Sequence, residues 1–260
     1  MITLTTDFGS IDPFVGQMKG VILRIHPEAV IVDLTHGIRP QGIREAAIAL
    51  GDSAGYFPPG TVHVAVVDPG VGSSRRRLAL EAGGHLFVGP DNGVFTSVIT
   101  ASPRVRAHHV VAEQLFLESP GRTFDGRDVF APVAAHLDKG LPLTEVGPEV
   151  TDYVLLPLPR PLREGGCIRG EVIHVDAFGN AITNVTAEDL ASLGEEQNVR
   201  VLAGGAETPL AEYYAQTEGR GPGALINSAG RLEVFLFGAR AAEALGLRVG
   251  DEVLVVAGEG

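Results

Sequence analysis

At 260 residues the chain is too long for one small core and short for three, so one large domain or two modest ones are expected. Its 45% hydrophobic residues and single cysteine exclude a disordered chain and a disulfide scaffold, and 34 glycines with 17 prolines argue against a helical bundle. The 20 Lys and Arg against 32 Asp and Glu leave a net charge of -12, a mean field that repels nucleic acid and anionic membranes.

Short β-branched runs alternate with amphipathic stretches from Ile2 to about Val154, the pattern of an α/β unit with helices on the faces of a central, mainly parallel sheet. Strands are predicted at Ile2–Thr5, Ala29–Leu34, Val62–Val67, Leu78–Glu81, Leu86–Val88 and Arg106–Val111, and helices at Phe14–Ile25, Arg44–Leu50 and Val129–Leu137. In Phe14–Ile25, the residues Val15, Met18, Val21, Ile22 and Ile25 share one face. Val64-Ala-Val-Val67 lacks alternation and reads as a strand buried on both faces. Leu156–Gly166 holds three prolines and ends in two glycines, a linker pattern. It divides the chain into an N-terminal α/β domain (1–156), a linker (157–167) and a smaller, mostly β C-terminal domain (168–260). That last domain has predicted strands at Ile168–Val175, Val199–Leu202, Leu232–Phe237 and Glu252–Val256, and short helices at Ala187–Leu193 and Ala239–Leu245. Cys167 alone forms no intramolecular disulfide, the opening Met1–Phe8 has an early polar break unlike a secretory leader, and no run approaches a membrane span. A soluble, cytoplasmic protein is therefore expected.

Carboxylates at strand ends are the first candidates for chemistry. Asp7, in Thr5-Thr-Asp-Phe-Gly9, follows the first strand, where it suits a ribose diol, a metal, or the cap of the next helix. Asp68 ends a buried strand in Val67-Asp-Pro-Gly-Val-Gly72, with Arg75 seven residues on to keep it ionised, so it suits orienting or deprotonating a water. The run Arg75-Arg76-Arg77 otherwise reads as a solvated face. In Thr123-Phe-Asp-Gly-Arg-Asp128, Asp128 suits a helix cap and Arg127 a local pair, whereas Asp125 has no structural excuse. Gly89-Pro-Asp-Asn-Gly93 reads as a hairpin turn, and His36 lies after a strand, where an imidazole suits reaching the site. Further on, Asp176, Phe178 and Asn180 combine an acid, an aromatic face and an amide. Asn227-Ser228-Ala-Gly230 offers hydroxyl and backbone donors for a carboxylate, and Tyr213 and Tyr214 sit in a loop able to close over a ligand.

Taken in order, these fragments resemble the S-adenosylmethionine hydroxide adenosyltransferases, relatives of the fluorinating and chlorinating enzymes, over nearly the whole chain. The resemblance implies an α/β domain and a β-barrel-like domain. It also implies a homotrimer with S-adenosylmethionine held between subunits, and hydrolysis to adenosine and L-methionine by in-line attack of water on the ribose C5′. It further implies that Asp7 holds the ribose hydroxyls, Asp176 and Ser228 the methionine ammonium and carboxylate, and Phe178 with Asn180 the adenine. The resemblance also implies that Phe124 and Tyr214 line the pocket and that Asp68, Arg75 and Asp125 surround the water. The sulfonium is already a good leaving group, so no metal or other cofactor is expected. One position departs from the family pattern: Asp125 stands where a His is expected, and two carboxylates around one water predict a proton-sharing pair. Asp68 argues against a halogenase, since a carboxylate there repels halide. Two alternatives are a binding module without turnover, and a metal-dependent hydrolase built on Asp7, Asp68, Asp125, Asp128 and His36.

Overall fold

Ile2–Thr6 form β1, whose five residues are all buried because the strand lies inside a sheet covered on both faces. The computed structural model describes residues 1–193 and 199–257, and the chain separates into two units, Met1–Leu158 and Pro159–Gly260. In the first unit β1 is followed by α1 (Phe14–Ile25), β2 (Ile31–Thr35), α2 (Ile43–Ser53), β3 (Val62–Val66), β4 (Arg77–Ala82) and β5 (His85–Pro90). Next come α3 (Thr96–Ala101), β6 (Val105–His109), α4 (Ala131–Asp138) and β7 (Glu149–Val150). The sheet order is β2-β1-β3-β5-β4-β6-β7. The pairs from β2 to β5 are parallel, and those of β4, β6 and β7 are antiparallel. The switch occurs at the β4–β5 hairpin, whose Gly83 and Gly84 take φ of +57° and +81°, the positive values that a two-residue turn of this hand requires.

The apolar run Val64–Val67, which starts in β3 and continues just past it, is sorted with Val62 by the two-residue side-chain period. Val62, Val64 and Val66 pack with Met18 and Ile22 of α1 and Val133 of α4. Ala65 and Val67 pack with Ala46 and Leu50 of α2 and Val98 and Ile99 of α3. Each fully buried Val or Leu contributes roughly 1.5–3 kcal/mol of transfer free energy. The register Thr5↔Ala65 and Thr6↔Val66 makes β1 and β3 end side by side, so the segments starting at Asp7 and Asp68 leave the sheet at one edge.

The second unit contains β8 (Leu162–Glu164), β9 (Cys167–Val175), β10 (Ala181–Thr186), α5 (Ala187–Ala191), β11 (Val199–Ala203) and β12 (Ala206–Pro209). It continues through β13 (Pro222–Ile226), β14 (Arg231–Leu236), α6 (Ala241–Ala244) and β15 (Glu252–Ala257). Among the described residues these strands form one antiparallel sheet in the order β12-β11-β15-β9-β10-β14-β13, with β8 on β9. A bridge between Leu210 and Ala224 brings its far edges together as a nearly closed barrel around Ile168, Val185, Val201, Val234 and Val255. A capping box, with Thr186 and Asp189 each serving the other's backbone N–H, starts α5. No helix among the described residues is long and apolar enough to cross a membrane.

The opposite end of the sheet from Asp68 holds a buried histidine pair. His63 shares a 2.7 Å hydrogen bond with Thr3 Oγ1, faces His85 at 3.4 Å and stacks on Phe87. Burial first, and the neighbouring His85 second, push the His63 pKa down to about 4. The folded state therefore binds a proton here less readily than the unfolded chain, so stability is intact above about pH 6.5 and falls as the pH drops toward 4. Urea unfolding should show the wild type losing roughly 2 kcal/mol more than His63→Gln between pH 7 and pH 4.5. Equal losses in the two proteins would contradict this account.

Candidate active site

A cleft of about 780 Å³ opens at the edge where β1 and β3 end, lined by Asp7, Phe8, Asp12, Phe14, Gln41, Asp68, Phe124 and Asp125 among others. Asp7 does not cap a helix, since α1 starts after Pro13. Its carboxylate instead accepts the Gln41 backbone N–H at 2.8 Å. Gln41 is the only non-glycine residue among those described with a left-handed φ, +65°, and strained backbone of this kind persists where surrounding structure holds it for a purpose. Asp68 follows β3 with a side chain only 5% exposed. The turn after it returns the chain to Arg75, and Gly72 is required there: φ is +78° and a Cβ would lie 2.8 Å from the Arg122 carbonyl oxygen.

Arg75 joins two carboxylates. Its Nε donates to Asp68 Oδ1 at 2.9 Å, and its Nη2 donates to Asp68 Oδ2 and, at 2.5 Å, to Asp125 Oδ2. Arg77 completes the group with Nε and Nη2 donating to the two Asp125 oxygens at 3.0 and 3.2 Å. The expected solvated basic face is therefore corrected. The extended backbone alternates its side chains, so Arg75 and Arg77 turn to Asp125 while Arg76 turns away to Asp91 and Asp152. Burial opposes the charge on Asp125, but hydrogen bonds from Arg77 and Arg75 and their positive charges outweigh it and hold the carboxyl below the usual carboxylate range. The proton-sharing pair expected of Asp68 and Asp125 is not what the structure contains, because two guanidiniums stabilise the ionised form of Asp125.

Asp125 precedes a π-helical turn, Gly126–Phe130, that leads into α4. Asp128 does not cap that helix; it pairs with Arg127, whose Nε lies 2.6 Å from Asp128 Oδ1. Arg127 also lies over the ring of Phe124 at 5.0 Å. Phe8, Phe14 and Phe124 meet edge to face at centroid separations of 5.3 to 5.7 Å, giving the cleft one aromatic wall. His36 lies outside the cleft lining and is engaged by Thr6 at 2.9 Å and Asp33 at 3.0 Å. The expected hairpin at Gly89–Gly93 is instead a strand-to-helix turn between β5 and α3. There Asn92 Nδ2 donates to the Val67 carbonyl at 2.8 Å and steadies the residue before Asp68. Among the described residues, no three His, Cys, Asp or Glu side chains form a group able to hold a metal ion.

In the second unit Phe178, Asn180 and Tyr214 line one depression with Phe237 and Arg240. Asp176 accepts the backbone N–H groups of Phe178 and Asn180 at 2.9 and 2.8 Å and shapes the turn that carries them. Phe178 is 78% exposed, a large apolar surface with little of the chain around it. Burial, then the hydrogen bond to Glu233 and the charges of Glu233 and Asp176, push the Tyr214 hydroxyl up to about 12. Ser228 sits in the exposed turn between β13 and β14, outside the lining of that depression.

The SAM hydroxide adenosyltransferase N-terminal domain model matches residues 2–147, and the C-terminal domain model matches residues 170–254. The chain belongs to the SAM hydroxide adenosyltransferase family. It is 42% identical to the (R)-S-adenosyl-L-methionine hydrolase of Thermus thermophilus over 95% of this chain and 96% of that one. It is 30% identical to a fluorinase of Actinoplanes sp. over 98% of this chain and 97% of that one. A crystal structure of an uncharacterized conserved protein from Thermotoga maritima, 38% identical and covering 98% of this chain and 100% of that one, superposes with a TM-score of 0.92.

Against this family membership, the notable unforeseen residues are Arg77, Gln41, Asn92 and Glu233. The basic run holds the signal for Arg77, since residues two apart on a strand share a face. Glu233, 2% exposed, accepts from Tyr214 Oη at 2.8 Å and Asn227 Nδ2 at 3.0 Å, and nothing in the local pattern of β14 marks it.

Replacing Arg75 by Met leaves Asp68 without its fork and Asp125 with one guanidinium, both nearly enclosed. A loss of about 3–5 kcal/mol at pH 7.5 is expected from breaking a buried pair. An enclosed carboxylate stripped of its cation favours the protonated form, so in this variant the folded state binds a proton more readily than the unfolded chain. The deficit should therefore shrink as the pH falls to 5. Urea unfolding at both pH values checks this, and an unchanged deficit would contradict it.

Proposed function

We propose that the chain hydrolyses S-adenosyl-L-methionine to adenosine and L-methionine. The observation that carries the reading is Asp68, a carboxylate set at the rigid end of β3, facing the cleft and gripped from behind by Arg75. In the reaction a water oxygen bonds to the ribose C5′ as the C5′–S bond breaks. The bonding pair goes to sulfur, which becomes the neutral thioether of methionine, and the water proton passes to Asp68 and on to solvent. Asp68 accepts a hydrogen bond from that water and aims its lone pair, while Arg75 fixes the carboxylate. Asp125 serves as the anchor of Arg75. The acidic lining outside the group that Arg75 and Arg77 neutralise, Asp7 and Asp12, attracts the sulfonium cation, an attraction that ends when the product thioether is neutral.

Family resemblance supports Asp7 as the holder of the ribose hydroxyls, with Phe124 in the pocket wall. It likewise supports Asp176 and Ser228 as holders of the methionine ammonium and carboxylate, Phe178 and Asn180 as the adenine site, and Tyr214 beside them. The exposed face of Phe178 suits stacking on a purine. We also propose a homotrimer in which residues of one subunit's C-terminal domain complete the cleft of its neighbour, acting in the cytoplasm, where the lone Cys167 suits reducing conditions. The relatives' name specifies the (R) form, and we extend that preference to this chain. A carboxylate at the Asp68 position disfavours halide as the nucleophile.

Incubation with the separated sulfonium epimers should release adenosine and methionine in equal amounts, faster from the (R) epimer. No adenosine above a boiled control would overturn the activity, and faster turnover of the (S) epimer would overturn the preference. Inactive Asp68→Ala and Asp176→Ala proteins should regain activity when their subunits are exchanged. Mixed oligomers that stay inactive would place the whole site in one chain.

A further inference from the structure

Arg77 lies outside the cleft lining, and the hydrolytic reading assigns it nothing. Both oxygens of Asp125 are nevertheless engaged by it. Asp125 Oδ2 accepts both Arg75 Nη2 at 2.5 Å and Arg77 Nε at 3.0 Å, and its Oδ1 accepts Arg77 Nη2 at 3.2 Å. The Arg77 guanidinium is itself located by the ring of Phe116, 5.6 Å away. An arginine between two enclosed carboxylates has two competing seats, squared on one or squared on the other. Here Arg77 occupies the fork seat on Asp125, which leaves Arg75 one donor for Asp125 and its own fork, Nε with Nη2, for Asp68.

We propose that Arg77 is a positioning residue for the hydrolysis: its fork locks Asp125 as an ionised anchor, and Asp125 so held keeps Arg75 squared on Asp68. The proposal rests on the hydrolase reading for its effect on rate, but not for the Arg77–Asp125 contact itself. It also gives the Asp125 departure from the family's His a physical consequence. A carboxylate beside Arg75 alone would leave two negative charges on one positive charge, and Arg77 restores a neutral set of two acids and two guanidiniums.

The charged and titratable groups around Asp125 come from several elements. Arg75 and Arg77 belong to β4 and the residues leading into it, and Asp68 to the end of β3. Arg127 and Asp128 follow in the π-helical turn, paired with each other. His109 at the end of β6 is held below its usual pKa by burial and by the charges of Arg76 and Arg77, against the opposing charge of Asp91.

The test uses the full-length protein with Arg77→Gln, Arg77→Lys, Asp125→Asn and the Arg77→Gln/Asp125→Asn pair. Arg77→Gln should lower kcat roughly 10–100-fold with KM little changed, the loss of a charge-assisted fork converted to rate. It should also move the acid limb of the kcat profile to higher pH, because Asp125 then takes up a proton more readily. Arg77→Lys, a point charge without a fork, should fall between and carries the comparison if the Gln variant does not fold. In the Asp125→Asn background, Arg77→Gln should produce no further shift. Carbon-13 NMR of labelled Asp carboxyls, with Asp125 assigned by its absence in Asp125→Asn, follows the same titration without turnover. If the wild type releases no adenosine, the hydrolase reading fails while the NMR titration still decides whether Arg77 holds Asp125. An Asp125 titration unchanged by Arg77→Gln, or a shift of the kcat limb that persists without Asp125, would overturn the proposal.

Discussion

One guanidinium, that of Arg75, is shared between two carboxylates that are each 5% exposed, and the geometry of the cleft depends on it. Removing charges from water costs several kcal/mol per ion, and the cost is recovered only when geometry and hydrogen bonding are nearly complete. Here Arg75 forks onto Asp68, Arg77 forks onto Asp125, and the remaining Arg75 contact ties the two halves together. The group also ties three chain segments: the end of β3, the approach to β4, and the turn before α4. A side-chain network thus does at the sheet edge what backbone ladders do inside it.

Around that network the fold supplies position and the side chains supply chemistry. The matched register of β1 and β3 brings Asp7 and Asp68 to one edge, and the hydrogen bond from Asn92 to Val67 steadies the last residue before Asp68. Three phenylalanines form an apolar wall beside those acids, a combination suited to a cation on an apolar frame. The proposed sulfonium substrate needs little activation of its leaving group, so in that reaction the demand on the protein falls on placing one water and excluding others. The fluorinase relatives share the scaffold over nearly its whole length. In the proposed reaction the nucleophile is selected at the strand end, where a carboxylate suits water and disfavours halide.

Much of this architecture is legible in the amino-acid sequence. The one-faced stripe of Phe14–Ile25 is α1 to the residue, and the unalternating Val64–Val67 run lies in the buried centre of the sheet. Asp68 and Arg75 are readable as partners because a Pro-Gly turn between them returns the chain on itself. Arg77 carries a signal in the same run, two residues on from Arg75 and on its face, but that signal is usable only once the segment is known to be extended. Local polar patterns mislead at Asp91-Asn92-Gly93, where the same residues that favour a hairpin turn serve a strand-to-helix turn. β10 and β13 carry no clear strand pattern for a related reason. β10 contains Asn184, whose side chain accepts the Glu171 N–H at 2.8 Å, and β13 begins with Pro222 and Gly223, residues whose strand role is set by partners far along the chain. The expected proton sharing at Asp125 fails because sequence counts carboxylates but does not reveal which arginines reach them.

The most direct test of the account is a crystal structure of the intact protein with adenosine and methionine bound, because the 5′-hydroxyl oxygen of adenosine is the former attacking water. The account predicts that oxygen within hydrogen-bond distance of the Asp68 carboxylate, with the methionine sulfur on the opposite side of C5′ and Arg75 still bridging Asp68 and Asp125. A 5′-hydroxyl turned away from Asp68, with that carboxylate bound instead to the ribose ring hydroxyls, would contradict it.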